Sequence, residues 1–425
     1  MLALFLPLDP MYGPCVGVCY GNVEAFRGIR LGNALYSRNN PLAGFVEMTP
    51  YFATAGELGT GWEFGAFASI SAFNGRSRAA ALKDWNPYRE YPLEVVDWEA
   101  EPVIGKRPLF EAFQYWAFAW LKTDRLTLRM GRDRVKVSQA HRYPLFLSGY
   151  GYPLDWLYLL EGSFGRLRGF AGFARIPDTV ENRRLAFQRL EVILGPVAVG
   201  LTEAVVYARE DSWKYANPLV LYYIVQRLET ADNDDNLFLM VDASVHLGDF
   251  RIYGEFMGDD PSFFHGEGQA PLWGLTLGAE GRWFVLELST VAPFTYAHYT
   301  GINSLEALGI PMATYLGQDY RAAYLRLIWR EAFVEYEYIL HGSTPFGLAY
   351  ENSNLPPDAP FPRAPLEEWH RFGLGALRDV GWLRWGLNLN LRVGGRLGLD
   401  VRNGKVSPVL SFVWGGDVRW DSGIE

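Results

Sequence analysis

The sequence predicts an all-β fold, a transmembrane antiparallel β-barrel of about 18 strands with short periplasmic turns and long extracellular loops. Three features predict this fold. Apolar and polar residues alternate over unusually long stretches, and tight turns alternate with long loops along the chain. No run of 18 apolar residues, which a membrane-spanning helix requires, is present. We therefore expect the chain to cross a membrane with strands.

The alternation is clearest between Leu383 and Val401. Every second residue from Leu383 is apolar, with Gly395 as the one gap, whereas the residues between them are small, amide or charged. Side chains of a strand point alternately to its two faces, so the pattern predicts one strand with an apolar face and a polar face. At about 3.3 Å per residue this strand is roughly 60 Å long, far longer than is usual in soluble domains. Asn403-Gly404, a pair typical of tight hairpins, follows it.

The rest of the chain divides into segments with similar alternation. A soluble sandwich would bury the apolar faces against a second sheet, whereas a barrel turns them to lipid and its polar faces to the lumen. Tight turns such as Phe164-Gly165 and Gly195-Pro196 alternate with long loops such as 132–154 and 208–235, and a soluble sandwich has no reason to sort its loops in this way. The predicted strands are 22–30, 45–55, 62–72, 110–121, 125–130, 155–164, 166–175, 184–194, 197–207, 236–246, 250–257, 271–279, 283–292, 319–329, 332–340, 369–377, 383–401 and 405–415.

Three places depart from this pattern. Val220–Val225 is strand-like, but an additional strand there would break the alternation of turns and loops, so we interpret 208–235 as a structured loop. Glu203 falls in the apolar phase of its predicted strand, which indicates either a position in the membrane interface or a β-bulge. Asn403-Gly404 is tight where the alternation predicts a long loop.

The composition is consistent with one barrel domain. The chain has 425 residues and no linker, low-complexity segment or charge block that would divide it. We expect a single β-barrel domain over 22–425, after an N-terminal segment, 1–21, that is apolar like the remainder of a signal peptide. The net charge of −9 argues against nucleic acid as a partner. The expected location is the outer membrane, with outer-membrane lipid as a partner and a monomeric state.

Residues 130–260 contain two groups of short motifs. The first group is Gly131-Arg132-Asp133-Arg134, Leu147-Ser148 and Pro153-Leu154-Asp155-Trp156-Leu157. The second group is Glu203-Ala204-Val205-Val206-Tyr207, Tyr215-Ala216-Asn217-Pro218-Leu219, Tyr222-Tyr223, Asp235-Asn236, Tyr253-Gly254-Glu255-Phe256 and Asp259-Asp260. In this order the motifs resemble the capsule-assembly Wzi family of outer-membrane proteins.

The resemblance implies an 18-stranded barrel that binds capsular polysaccharide at the cell surface and whose lumen is closed by a helical plug and loops. This sequence has no obvious N-terminal helical bundle, so residues 75–109 are the alternative plug, and an open pore is the other alternative. We therefore predict an outer-membrane barrel that binds or positions surface polysaccharide without catalysis. A porin-like channel for small solutes or sugars and a soluble all-β carbohydrate-active enzyme are the alternatives.

The candidate ligand-binding residues lie on the predicted polar faces and in the loops. Planar guanidinium groups and carboxylates hydrogen-bond hydroxyl groups well, and aromatic rings can stack on sugar rings. The same charges could instead pair across the barrel wall, and the same aromatic residues could form an interface girdle. The candidates are Arg384, Arg392, Arg396 and Glu255 on the lumen faces and Asp259, Asp260, Tyr215, Asn217 and Trp156 in or beside loops.

The sequence predicts no catalytic, metal or cofactor site. Glu335 and Glu337 share a strand face, but two carboxylates so placed recur in any such strand and are not specific for a glycosidase pair. No histidine pair has zinc-ligand spacing on one element, and the chain contains no P-loop, dinucleotide-binding glycine motif or Gly-x-Ser-x-Gly. We expect a non-enzymatic protein without a cofactor.

Overall fold

The computed structural model has an almost entirely β structure. It describes residues 26–37, 43–57, 62–74, 112–149, 153–177, 182–208, 213–217, 220–228, 235–259, 271–298, 303–307, 310–344, 346, 348, 361–384 and 387–421. Its strands are β1 (Phe26–Ser37), β2 (Ala43–Glu57), β3 (Glu63–Asn74), β4 (Ala112–Lys122), β5 (Leu126–Asp133), β6 (Leu154–Phe164), β7 (Leu167–Arg175), β8 (Arg184–Leu194), β9 (Val197–Tyr207), β10 (Asn236–Leu247), β11 (Phe250–Asp259), β12 (Trp273–Gly281), β13 (Phe284–Val291), β14 (Glu306–Ala307), β15 (Ile310–Pro311), β16 (Tyr320–Trp329), β17 (Ala332–His341), β18 (Glu367–Arg384), β19 (Leu387–Arg402) and β20 (Lys405–Asp421). The predicted segment 1–21 and the alternative plug 75–109 lie outside the described residues.

Eighteen of these strands form one antiparallel sheet, and β14 and β15 pair separately as a small hairpin. Each strand of the large sheet pairs with its neighbours along the chain, and β1 pairs with both β2 and β20. The pairing of β1 with β20 runs from Phe26 opposite Asp421 to Ser37 opposite Leu410. Because the first and last strands pair, the sheet has no free edge, as a β structure in lipid requires. The predicted antiparallel barrel of about 18 strands is confirmed.

Short and long connections lie at opposite ends of the barrel, as predicted, except that the tight β19–β20 turn at Asn403-Gly404 lies at the end of the long loops. The turns β6–β7, β8–β9 and β10–β11 have two residues each, and each begins with a glycine at positive φ, a conformation that glycine adopts without steric cost. The connections β5–β6, β9–β10 and β13–β16 are long. We call the two ends the short-turn end and the long-loop end. In outer-membrane barrels they are the periplasmic and the extracellular end, respectively.

The outward face of the barrel is a belt of exposed apolar side chains. Leu126, Leu128 and Met130 are exposed along β5, and Phe372 and Leu374 are exposed along β18. No second sheet covers this face in the described part of the chain. An uncovered apolar belt of this extent is unfavourable in water and favourable in lipid. The wall therefore spans a membrane, and its apolar face is not buried as in a soluble sandwich.

Large aromatic residues mark the short-turn end of this belt. Phe164, Trp283 and Trp329 lie beside tight turns, Trp62 directly precedes β3, and all four side chains are exposed. Aromatic residues at this level are typical of the boundary between lipid and water. Among the described residues, no helix is long and apolar enough to cross a membrane.

The structure corrects two predicted strand boundaries. Residues 378–384 continue β18, whose pairing with β19 ends at Arg384 opposite Leu387, so the predicted turn at Arg378–Trp382 and the strand start at Leu383 are wrong. The pattern misled because Leu383 and Trp385 happen to continue the apolar phase of β19 although they precede it. The first strand, predicted over 22–30, is Phe26–Ser37.

Between β9 and β10 the chain forms a 3-10 turn, Trp213–Ala216, and a short helix, α1 (Tyr222–Leu228). The interpretation of 208–235 as a structured loop is confirmed for its described residues, and most of the strand-like stretch 220–225 is helical. Tertiary contacts therefore override the strand preference of Tyr222-Tyr223-Ile224-Val225.

Candidate functional site

Residues 134–149, between β5 and β6, fold into the barrel, and we call them the lumen plug. Most plug side chains are buried, and Val137, Tyr143 and Leu145 have no exposed surface. The wall residues that hold the plug point inward. Glu287, for example, lies between Leu286 and Leu288, which are exposed on the outward face of β13. The plug therefore lies in the lumen and not above the barrel.

The plug shares a hydrophobic core with the long loop between β13 and β16. The Tyr296 hydroxyl donates a hydrogen bond to the Leu145 carbonyl over 2.9 Å. The Ser148 backbone N–H donates to the Met312 carbonyl, also over 2.9 Å. Side chains of both loops and of the inner wall pack together around these bonds, so the two long loops fill the lumen as one packed unit.

The tip of the plug is an irregular turn whose backbone N–H groups have no strand partner. An unpaired buried N–H is unfavourable, so these groups need acceptors from elsewhere. Glu287 supplies them: its two carboxylate oxygens accept the N–H groups of His141, Arg142 and Tyr143 over 2.6, 2.8 and 2.9 Å. The Tyr253 hydroxyl donates to the same carboxylate over 2.5 Å. One wall glutamate thus fixes the whole tip.

A second wall glutamate, Glu255, holds the strand-like arms on both sides of the tip. It accepts hydrogen bonds from the Ser138 hydroxyl and the Gln139 N–H. It also accepts the N–H groups of Ala140 over 2.9 Å and of Leu145 over 3.3 Å. Glu255 is 1% exposed, so these bonds are shielded from water.

A third wall glutamate, Glu337, binds the plug through a side chain. Arg142 donates to it from Nε over 2.7 Å and from Nη2 over 2.6 Å, a bidentate pair. The hydroxyls of Tyr143 and Tyr315 donate to the same carboxylate over 2.8 and 2.6 Å. The Arg142 guanidinium also lies 5.0 and 5.1 Å from the ring centres of Tyr315 and Tyr324. We call Glu255, Glu287 and Glu337 the glutamate clamp.

One lysine of the plug, Lys136, is buried, which disfavours its charged form. Lys136 is 7% exposed and lies where its backbone forms an isolated bridge to Ser148. Burial lowers the pKa of Lys136 to about 8, although the carboxylates of Glu255 and Glu287 favour its charged form. The lysine is therefore a pH-sensitive part of the plug.

Below the plug, towards the short-turn end, the lumen contains a cavity of about 400 Å³. His141 and Arg142 of the plug tip line it from above. Strand residues Arg251, Glu280 and Arg326 line its sides. Turn residues 248–249 and 281–282 form its rim, and we call it the short-turn cavity.

The loop between β9 and β10 folds back on the outside of the barrel. Its described parts, 213–217 and 220–228, are the outer-wall segment. Glu203 shares the outward phase of Val199 and Leu201, which are exposed, and yet is itself buried because this segment covers it. Its carboxylate accepts the N–H groups of Tyr222 and Tyr223 over 2.9 and 2.6 Å. Glu203 thus binds the start of α1. Of the two predicted alternatives, a β-bulge is not observed, because the strand pairing shows no register shift at Glu203, and the position in the membrane interface stays a prediction.

The structure separates the predicted site residues. Glu255 belongs to the glutamate clamp. Asp259 is buried and accepts the Tyr296 N–H over 2.7 Å, which ties β11 to the β13–β16 loop. Tyr215 is buried in the outer-wall segment and donates from its hydroxyl to Asp235 over 2.6 Å. Their ligand-binding roles stay predictions.

Of the other loop candidates, two lie outside the lumen and one is not among the residues that the structure describes. Trp156 is 69% exposed and shares the outward phase of Tyr158 and Leu160, which is the position of an interface aromatic residue. Asn217 is exposed in the outer-wall segment. Asp260 lies outside the described residues.

The three predicted lumen arginines do not share one strand. Arg384 belongs to β18 and not to the strand of Arg392 and Arg396, so its predicted place on one strand with them is wrong, whereas its ligand-binding role stays a prediction. In β19 Arg392 pairs with Asp379 and Arg396 with Gly375, and their ligand-binding roles stay predictions. For these three arginines the structure describes only the backbone.

Sequence reasoning missed the plug, and of the three clamp residues it named only Glu255 as a candidate ligand-binding residue. We predicted 132–154 as a loop outside the barrel, but the run Tyr143-Pro144-Leu145-Phe146-Leu147 is too apolar for a solvated loop and could have revealed a buried segment. The predicted cross-wall pairing of charges is observed: Arg189 forms an ion pair with Asp242. Glu337, of the same-face pair with Glu335, holds Arg142.

Comparisons with known proteins support the architecture. No protein-family model and no curated protein matches the chain. Among solved structures it is similar to Wzi of Escherichia coli, described as an outer-membrane protein involved in group 1 capsule assembly and a carbohydrate-binding β-barrel. The TM-score is 0.53 at 13% identity, over 92% of this chain and 84% of that chain. The fold is that of an outer-membrane β-barrel. At this identity the similarity concerns the fold and not family membership.

Further solved structures align with lower scores. OprD and OpdK of Pseudomonas aeruginosa, both outer-membrane proteins, align at a TM-score of 0.49 each, with 10% and 12% identity. The alignments cover 93% of this chain, and 93% and 99% of those chains. These scores are too low to support an argument about function. The Wzi comparison and the apolar outward belt agree with the predicted outer-membrane location.

Proposed function

We propose that this barrel binds or positions surface polysaccharide in the outer membrane, without catalysis, and is not an open diffusion channel. The observation that carries the proposal is the lumen plug, held by the glutamate clamp. A general porin needs a continuous water-filled path along its axis. A packed and hydrogen-bonded plug in the lumen favours a binding protein over such a channel.

The strength of the clamp supports a permanent plug. Arg142 and Glu337 are each almost fully buried, and their side chains are 3% exposed. Breaking a buried ion pair by losing one partner costs about 3–5 kcal/mol. A loop that opens readily to admit solutes would not be expected to carry such a pair together with several charge-assisted backbone bonds. The plug is therefore expected to remain in place when ligand binds.

The ligand class is taken from the comparison with Wzi, which is described as a carbohydrate-binding β-barrel. The motif resemblance of residues 130–260 to that family supports the same ligand class. With the lumen occupied, we expect long polysaccharide to bind at the long-loop end.

A porin-like channel is the second candidate. The short-turn cavity favours it, because about 400 Å³ of the lumen below the plug is unfilled. In that case the plug would be a gate, and solutes would pass when it moves.

Two measurements on the full chain in one detergent preparation distinguish the candidates. The first is binding of a purified acidic capsular polysaccharide, followed by tryptophan fluorescence, and the second is single-channel conductance in planar bilayers. We expect saturable polysaccharide binding and no stable conductance. Stable conductance without polysaccharide binding would overturn the proposal in favour of the channel.

A further inference from the structure

The lining of the short-turn cavity is more polar and more charged than that of an ordinary packing void. Its volume of about 400 Å³ lies within the range of small-molecule sites, roughly 300–1,000 Å³. Four guanidinium groups and two carboxylates line it. They are Arg142, Arg251, Arg282 and Arg326, with Asp249 and Glu280. The lining is therefore rich in hydrogen-bond donors.

The deepest acceptor of the cavity is already engaged. One Glu280 oxygen lies 2.6 Å from Nε of Arg251, and the other lies 2.5 Å from Nε2 of His141. Asp249, the other carboxylate, is on the exposed rim. A ligand in the cavity would thus meet few acceptors available on the wall and would have to supply its own.

Two arginines of the cavity, Arg142 and Arg326, are held in fixed orientations by groups behind them. Arg142 is bound by Glu337, which is not part of the cavity lining. The Arg326 guanidinium lies 3.8 Å from the ring centre of Phe333, and its Nε is 3.8 Å from Glu335. Side chains that are ordered before a ligand arrives lose less conformational entropy when it binds. The cavity is thus organised in the absence of a ligand.

We infer that the short-turn cavity binds a sugar unit that bears a carboxylate. A planar guanidinium donates two parallel hydrogen bonds to a carboxylate, which suits a donor-rich wall. The side chains of Val285 and Ile328 provide the apolar part of the lining, against which a sugar ring can pack. The saccharide nature of the ligand rests on the proposed function, whereas the preference for an anion rests on the cavity itself.

A ligand in this position would touch the plug. His141 and Arg142 are at once the plug tip and part of the cavity lining. The site therefore lies on the opposite side of the plug from the long-loop end, and this chain would have two separate places for acidic polysaccharide.

The test is calorimetric titration of the full chain in detergent with digalacturonic acid and, for comparison, with maltose, a neutral disaccharide of similar size. We expect digalacturonic acid to bind and maltose to bind at least tenfold more weakly. Arg282→Gln removes a rim guanidinium and is expected to weaken digalacturonic acid binding about tenfold, since a hydrogen bond to a charged group contributes about that much. Val285→Trp fills the cavity without changing a charge and is expected to abolish binding.

Arg166→Gln is the matched control, because Arg166 lies in a tight turn at the same end but not in the cavity lining. It should bind digalacturonic acid like the unmodified chain. Equal binding of both disaccharides, or unchanged binding by both Arg282→Gln and Val285→Trp, would overturn the inference. Digalacturonic acid binding that Val285→Trp abolishes, in a chain that binds no long polysaccharide, would support the cavity and overturn the proposed function instead.

Discussion

Two long loops of the same barrel end fold back on the wall, one inside and one outside. The lumen plug enters the barrel, and the outer-wall segment covers the outward side of β8, β9 and β10. In both, wall glutamates accept backbone N–H groups that no strand satisfies. The plug has two such residues, Glu255 and Glu287, and a third clamp residue, Glu337, that binds plug side chains, whereas the outer-wall segment has one, Glu203.

The difference follows from the backbone that each loop must bury. The plug tip is an irregular turn at membrane depth, where unpaired N–H groups are unfavourable and several acceptors are needed. The outer-wall segment pairs much of its backbone within α1, so one carboxylate at the start of the helix is sufficient. Its remaining stability comes from packed aromatic rings, such as Tyr215 against Tyr207 at 5.0 Å and against Tyr222 at 5.5 Å between ring centres. Hydrogen bonds to wall carboxylates thus hold the tip of the lumen plug, whereas packed aromatic rings stabilise much of the outer-wall segment.

The largest expected effect comes from removing the plug tip. Replacement of residues 138–143 by a Gly-Ser linker of equal length removes the buried side chains of this stretch, including Arg142 and Tyr143, which bind Glu337. We expect a stable single-channel conductance in planar bilayers where the unmodified chain has none, because the lumen loses its packed obstruction. Replacement of 222–227 in the outer-wall segment by the same linker is the control and should leave the lumen closed. Equal conductance of both replacements would mean that the plug does not set lumen closure.

The next effect concerns one clamp residue. Glu337→Gln leaves the buried Arg142 without its carboxylate partner and is expected to destabilise the protein by about 3 kcal/mol. Urea unfolding in lipid vesicles, followed by tryptophan fluorescence, measures it. Glu367→Gln breaks a half-exposed pair with Arg402 and serves as the control, with an expected loss of at most about 0.5 kcal/mol. A similar loss in both variants would show that burial does not strengthen the clamp.

A smaller effect is expected outside the barrel. Glu203→Ala removes the acceptor for the first N–H groups of α1 and should cost about 1 kcal/mol, as the loss of a helix cap does. Limited proteolysis should then cut the chain between β9 and β10 earlier than in the unmodified protein, with no change in conductance. Glu331→Ala, in an exposed tight turn, should leave the cleavage unchanged. A conductance change in Glu203→Ala would contradict the separation of the inner and outer loops.

The last expected effect is a pH dependence from Lys136. Its pKa in the folded protein is about 8, below the ordinary value of 10.5, so the unfolded chain binds more protons between these values. Stability should therefore rise as the pH increases from about 8 to 10.5, and the penalty for burying the charge should be fully present below pH 8. Lys136→Met should remove this rise. Urea midpoints at pH 7.5 and 9.5 measure it, and an equal rise in both proteins would contradict the assignment.

The barrel itself was predictable from the sequence, whereas the candidate site was not. The alternation of apolar and polar residues in stretches such as Leu237–Val245 predicts which side chains lie on each face of a strand. The order of tight turns and long loops predicts which strands are neighbours in the sheet. Glu255 was predicted as a lumen residue from this phase alone. Its partners Ser138 and Ala140 were not, because 115 or more residues separate them from it.

The sequence by itself determined the all-β class, the strand count and the lipid-facing phase, since these depend on local periodicity. Only the tertiary structure decided that the lumen plug enters the barrel and that the outer-wall segment covers its outside. Both loops contain apolar residues and both meet a wall glutamate, so composition does not separate them. The direction of the wall carboxylate determines whether a loop packs inside or outside the barrel. Glu255 and Glu287 point into the lumen, whereas Glu203 points outward.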